Sequence, residues 1–356
     1  MRQHSSFADD TRVTKGLKTE QDACDLQNDL FQIYNWSQAN NMKFNSLKFE
    51  LIRYGKNNQL KESTTYVTPE WELIDEKDDV RDLGVTLSNC CNFKQHIANI
   101  VESAKRMSSW VLRTFATREK IPMMTLFKTL VRPLLEYSSP LWSPTAKGDI
   151  QKLEEVQKSF IKKIRGTSRN YQEALKQLNL YSLEQRRTRY MSIHVWKILE
   201  NITPNTGETE ATRLQPQTTF SHRRGRTCPT FNLNNTPSHL LQARKQTLRC
   251  QGAKIFNSLP KQIRNITHTT VDVFKSNLDK YLRSSMESPY TRFAHASWQE
   301  TNHPHPIPII PHHHNQEGIL TEEHDTAVPL IFPVSEAIAQ RPARGRTVVG
   351  QFTLTS

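Results

Sequence analysis

Apolar and polar positions along the chain change their period several times, and each change marks an element. In the run Ser5–Val13, apolar positions flank an Asp9-Asp10 pair. Turn-tolerant aspartates between apolar positions predict a β-hairpin with the pair at its tip. From about Asp22 to Asn41, residues Leu26, Leu30, Ile33, Tyr34 and Ser37 recur at helical spacing, while Asn28, Asp29, Gln32 and Asn35 take the other face. Phe49, Leu51 and Arg53-Tyr54 predict a strand that ends at Gly55. A polar insert, Lys56 to Asp79, precedes a second strand, Val80 to Leu87, in which Leu83, Val85 and Leu87 alternate. Hairpin, helix, strand, insert and strand read as α+β.

The next stretch is helical. Ile97, Ile100, Val101, Ala104, Met107, Val111 and Phe115 share one face of a helix from Phe93 to Phe115. Pro122 at a first-turn position opens another helix through Met124, Phe127, Leu130 and Val131, which Pro133 bends or ends. A third helix covers Asp149 to Ile164, and Ser182 with Gln185 makes a capping-box start for a fourth, running to about Glu200. The Arg-rich polar stretch Thr203 to Asn235 reads as a loop. Two more helices are expected near Ser238–Phe256 and Thr270–Arg283.

Beyond about Ser288 lie eight of the eighteen prolines, and seven of the thirteen histidines fall between His295 and His324. That composition predicts a largely disordered tail. The expected organisation is therefore residues 1–90, mixed strand and helix; 91–200, helical; 201–284, basic and helical; and 285–356, a Pro/His-rich tail.

Composition narrows the function classes. Hydrophobic residues are 36% of the 356, and no stretch approaches the ~20 apolar residues of a membrane-spanning helix. An integral membrane protein is excluded, and no apolar segment behind Met1 suggests secretion. The five cysteines (Cys24, Cys90, Cys91, Cys228, Cys250) are scattered and form no CxxC pair, which predicts reduced thiols. Charge is more telling: 48 Lys+Arg against 35 Asp+Glu leaves a net +13. From Ala211 to Val271 there is no acidic residue, and ten basic ones include Arg223, Arg224 and Arg226. Asymmetry of this kind favours a polyanionic partner, most simply nucleic acid.

Two aspartates side by side at a hairpin tip concentrate negative charge where divalent cations can neutralise it, as phosphoryl transfer requires. Phe7-Ala8-Asp9-Asp10 resembles the [FY]-A-D-D box of reverse transcriptases of LINE-type, non-LTR retrotransposons, the jockey group among them. Further blocks follow in the family's order. Met42 to Glu50 includes Asn45 three residues before Lys48. Val80-Arg81-Asp82-Leu83-Gly84-Val85 is similar to a K-x-L-G-V strand, and Phe93-Lys94-Gln95-His96-Ile97 to F-x-x-H-I. The most specific run is Leu130-Val131-Arg132-Pro133-Leu134-Leu135-Glu136-Tyr137 with Pro140-Leu141-Trp142-Ser143-Pro144. Leu153-Glu154-Glu155-Val156-Gln157, Trp196, Asn257-Ser258-Leu259-Pro260 and Phe274-Lys275 complete the series, which spans nearly four-fifths of the chain.

The resemblance implies a truncated polymerase palm in 1–90, a thumb-like domain in 91–200, the family's C-terminal region in 201–284, and RNA-directed DNA polymerase as the parent activity. Asp9 and Asp10 would help bind two Mg²⁺ ions, and Lys48 would lie near the incoming deoxynucleoside triphosphate. RNA template and DNA primer are the implied partners, and the nucleus, with a cytoplasmic ribonucleoprotein stage, the implied location. In the family the other metal-binding aspartate and the fingers lie upstream of this box. Only six residues precede Phe7, so the chain alone is expected to be inactive as a polymerase, and palm strands without their usual neighbours are expected to leave exposed sheet edges. The alternative expectation is a non-catalytic module that grips duplex phosphates through Lys105, Arg106, Arg113 and Arg118 on one helical face, Lys158, Lys162, Lys163 and Arg165 on another, and Arg223, Arg224 and Arg226 beyond. His96, His194, Tyr137 and Trp142 are expected to serve packing.

Overall fold

The Asp-Asp hairpin forms where the alternation places it: β1 (Arg2–Phe7) pairs antiparallel with β2 (Asp10–Leu17), with Phe7 opposite Asp10. The structure, a computed structural model, describes residues 2–7, 10–42, 44–45, 48–54, 60, 62–204, 214, 216–220, 227–231, 248–286 and 348–354. For residues 2–7, 216–220, 227–230, 249, 285–286 and 348–354 the backbone alone is described. Helix and strand are mixed, as the α+β reading expects.

Helix α1 (Glu20–Ala39) follows β2. It begins at Thr19, whose hydroxyl accepts from the Asp22 N–H, while the Asp22 carboxylate accepts from the Thr19 N–H at 3.1 Å. Such a cap contributes about 1 kcal/mol. Strand β3 (Glu50–Tyr54) comes next. Alternation in β3 divides two cores. Leu51 joins Val13 and Leu17 of β2 and Leu26 and Leu30 of α1 in one cluster. Ile52 and Tyr54, pointing the other way, join Val80, Val85 and Leu87 and the helices that follow. That second cluster extends from Ile52 to Leu183, so packing is continuous across residue 90.

The run Val80 to Leu87 is two strands, β4 (Asp79–Asp82) and β5 (Val85–Ser88), where the alternation predicted one. Leu83 (φ +43°) and Gly84 (φ +82°) are both left-handed, the backbone of a tight two-residue hairpin turn. A Cβ on Gly84 would meet the Tyr137 ring at 3.1 Å, so both backbone and neighbour call for glycine.

Helix α2 (Lys94–Thr114) buries Ile97, Val101, Ala104 and Val111, the predicted face. The next helix runs through Pro133. Its first part, α3 (Lys120–Leu126), passes into a π-turn (Phe127–Val131) and on to α4 (Arg132–Glu136). The Arg132 N–H donates to the Phe127 carbonyl, and this wider turn accommodates the proline that follows. Short α5 (Ser139–Trp142), α6 (Lys147–Ile161), α7 (Tyr171–Gln177) and α8 (Leu183–Leu199) complete the helical stretch. The Ser182–Gln185 capping box is present at the start of α8.

In the stretch read as a loop, β6 (Pro216–Phe220) and β7 (Thr227–Phe231) pair as a hairpin. Its side chains before Phe231, and residues 221–226, lie outside the described residues. Helices α9 (Ala253–Ser258), α10 (Lys261–Arg264) and α11 (Val271–Met286) follow. Their core is carried by Trp196, which stacks on Phe274 at 4.8 Å and donates from Nε1 to the Ile266 carbonyl at 2.6 Å.

Most of the Pro/His-rich tail lies outside the described residues, including the His312-His313-His314 run. Its end forms β8 (Val348–Leu354), which enters the main sheet to give the order β1-β2-β8-β3. This strand pairs with one edge of β2 and one edge of β3.

Candidate functional site

Asp10 opens β2 and is half-buried, while Ala8 and Asp9 lie outside the described residues. Two residues on, Arg12 is buried and ion-paired with buried Asp82 of β4. Burial pushes the Asp82 carboxyl above its usual range, Arg12 opposes that shift, and the Asp10 charge adds to it. Tyr54 belongs to the same group, its hydroxyl pushed up by burial and by the charges of Cys91 and Asp82. Asp10 thus stands at the rim of a buried, largely neutralised set.

Lys48 is exposed and precedes β3. Register relates it to Asp10: Thr11 of β2 is opposite Leu354 of β8, and Glu50 of β3 is opposite Thr353. Asp10 at the start of β2 and Lys48 just ahead of β3 therefore lie at the same end of the sheet, with one strand between β2 and β3. The described carboxylates nevertheless do not assemble a metal centre. Among the described residues no three His, Cys, Asp or Glu side chains converge. Asp82 is engaged by Arg12, and the intervening strand, Val348–Leu354, contains no acidic residue. Asp10 is the one member of the Asp9-Asp10 pair among the described residues, and no two-metal site is assembled among them.

The basic residues fall into a more coherent arrangement. Lys105, Arg106 and Arg113 are exposed on α2, with Arg106 bonded to Glu102 at 3.2 Å and to Ser103. Trp110, 47% exposed, lies on the same helix edge-on to Phe115. Arg118 ends the segment differently: its guanidinium donates to the Leu112, Phe115 and Thr117 carbonyls, closing the end of α2. The Arg165 N–H then donates to the Arg118 carbonyl at 2.8 Å, joining the ends of α2 and α6. This brings Arg113, Lys120, Lys162, Lys163 and Arg165 to one end of the helical stretch, where Glu119 pairs with Arg165 at 3.4 Å. Lys158, in the last turn of α6, lies 3.7 Å from Glu155. Arg223, Arg224 and Arg226 lie outside the described residues. Sequence reading missed Lys120 and Trp110. An exposed tryptophan between arginines on a helical face is the signal that could have found Trp110.

Several block residues hold the blocks to one another. The His96 Nδ1 accepts from the Thr86 N–H at 3.2 Å, and its ring lies edge-on to buried Trp142 at 5.1 Å. Trp142 donates from Nε1 to the Tyr137 carbonyl at 2.7 Å, and the Tyr137 hydroxyl donates to the Leu83 carbonyl at 3.1 Å. Glu136 accepts from the Arg186 guanidinium on α8, with Nη2 at 3.1 Å. Glu154 accepts from the Leu183 N–H at 3.0 Å and from the Tyr171 hydroxyl, facing buried Arg187. His96 and His194 are both buried, and burial first, then a neighbouring cation, pulls each imidazole down to about 4. Both serve packing, in line with the sequence expectation.

No family model matches the chain, and no solved structure matches it. Among curated proteins, 166 residues, 46% of this chain, are 24% identical to the RNA-directed DNA polymerase from mobile element jockey of Drosophila melanogaster. The match covers 18% of that relative's length. The chain is similar, at low identity, to a retrotransposon reverse transcriptase.

Proposed function

We propose that this chain is part of the polymerase region of a non-LTR retrotransposon reverse transcriptase, comprising the end of the palm, the thumb and the helices beyond. The observation that carries this reading is the similarity to the jockey polymerase over 166 residues. Its parent reaction is addition of deoxynucleotides to a primer 3′-hydroxyl on an RNA template, with Mg²⁺ supplied to carboxylates that include Asp9 and Asp10. Lys48 at the same end of the sheet as Asp10 fits a role beside the incoming triphosphate. The exposed cations gathered where Arg165 bonds Arg118 favour a second reading for the chain by itself, a module that grips a template–primer duplex without extending it.

In that role Lys105, Arg113, Lys162 and Lys163 neutralise backbone phosphates. Arg118 acts indirectly, because its fork is spent on the end of α2. Binding of this type is independent of sequence and falls steeply with salt. The test is fluorescence anisotropy on an RNA–DNA duplex at ~50 and ~200 mM salt, where contact with some six phosphates or more loses roughly a thousandfold in affinity. Salt-insensitive binding, or none, would remove the duplex-gripping role. Nuclear location, with a cytoplasmic ribonucleoprotein stage, belongs to the same proposal.

A further inference from the structure

The middle of the main sheet is filled from the far end of the chain. β2 and β3 are joined by α1, and both run antiparallel to β8, so they are parallel to each other with one strand-width between them. They make no ladder with one another. α1 fixes their separation, since Leu26 and Leu30 pack against Val13 and Leu17 of β2 and Leu51 of β3 in one cluster. Strand, helix and strand thus hold open a slot about 10 Å wide, two strand spacings, with backbone donors and acceptors on both walls.

β8 fits this slot by register. Phe352 is opposite both Val13 and Leu51, Val348 is opposite Leu17, and Gly350 is opposite both Lys15 and Arg53. The segment Val348–Leu354 carries no charge and no proline, as a strand paired on both sides requires. Two further facts make its occupancy conditional. Sixty-one residues, 287 to 347, lie between α11 and β8, so the strand pairs with β2 and β3 at long range along the chain. In addition, β8 is made 294 residues after Tyr54, so at ~5–20 residues per second the slot waits for its strand for tens of seconds.

We propose that the slot between β2 and β3 is a strand-acceptor site. Its resident occupant is the chain's own C-terminal strand, and it takes a free extended peptide of the same alternation when that strand is withdrawn. Recognition is by main-chain pairing on both sides, with specificity from the apolar residues at alternate positions. The inference is independent of the polymerase reading, because it rests on the sheet order and register.

The experiment uses the full chain, the Gly350→Pro variant and a fluorescein-labelled peptide covering residues 347–355. Proline at position 350 removes a donor where the strand is paired to two neighbours. In the wild-type chain the amides of Val13, Lys15 and Ile52 are expected to resist hydrogen exchange. Gly350→Pro is expected to lose that protection and to bind the peptide about tenfold or more tighter than wild type does, while a peptide carrying the same proline binds neither chain. Equal protection in both chains, or equal binding of the two peptides, would overturn the proposal. If Gly350→Pro loses its helical far-ultraviolet signal, a photo-crosslinking residue at position 352 of the otherwise wild-type chain decides. Crosslinks to peptides holding Val13 or Leu51 support the slot, and their absence overturns it.

Discussion

Replacing His96 with asparagine should flatten part of the acid sensitivity of this protein, by an amount the structure sets. The imidazole is 2% exposed, accepts from the Thr86 N–H through Nδ1, and sits edge-on to Trp142. Burial and the Arg81 charge lower its proton affinity from 6.5 to about 4. Between those values the unfolded chain binds more protons than the folded one, so stability is fully present above ~6.5 and drains away as pH falls toward ~4. At 1.36 kcal/mol per pK unit the whole loss is about 3 kcal/mol, of which about 2 is gone by pH ~5. Asparagine keeps an acceptor for Thr86 and does not titrate. Urea denaturation of wild type and His96→Asn at pH ~7 and ~5, followed by far-ultraviolet circular dichroism, isolates this residue, because His194 and the carboxylates are common to both chains. Wild type is expected to lose about 2 kcal/mol more than the variant across that interval. Parallel losses would refute the buried, neutral histidine.

Arg12→Met leaves Asp82 buried without its partner and should cost about 3–5 kcal/mol in urea denaturation, and Arg12→Met combined with Asp82→Leu should recover most of it. A double variant no more stable than the single would contradict the pair's role. Gly84→Ala places a side chain at φ +82° within 3.1 Å of Tyr137, and a loss of about 1–3 kcal/mol is expected. Lys162→Ala with Lys163→Ala should lower the salt slope of duplex binding by about 2, one phosphate contact each, without changing the urea midpoint. An unchanged slope would take these lysines out of the interface.

Local pattern carried the elements whose hydrogen bonds are local. The Asp-Asp hairpin, α1 but not its Thr19 cap, α2 and the Ser182 capping box were read from neighbours within a few residues. The turn inside Val80–Leu87 was hidden because Leu83 takes a left-handed conformation that its identity does not announce, and only Gly84 hinted at it. β8 was hidden because its partners lie about 300 residues away in a strand pair with a gap, and neither periodicity nor composition reports such pairing. The hairpin in the Arg-rich stretch was missed because a polar composition was read as loop. For the site, Asp10 and Lys48 came from the resemblance, and register supplied their common end of the sheet. Glu136, Glu154 and His96, all inside quoted blocks, proved to join sequence-distant segments. A motif match alone does not separate such binding between segments from chemistry.

Primer extension on an RNA template with Mg²⁺, run beside anisotropy on the same duplex at ~50 and ~200 mM salt, separates gripping the duplex from extending it. Salt-sensitive binding of the duplex and no incorporation of deoxynucleotides are expected of the chain alone. Incorporation that disappears with Asp10→Asn would contradict that expectation, because a complete metal site would then be present within these residues.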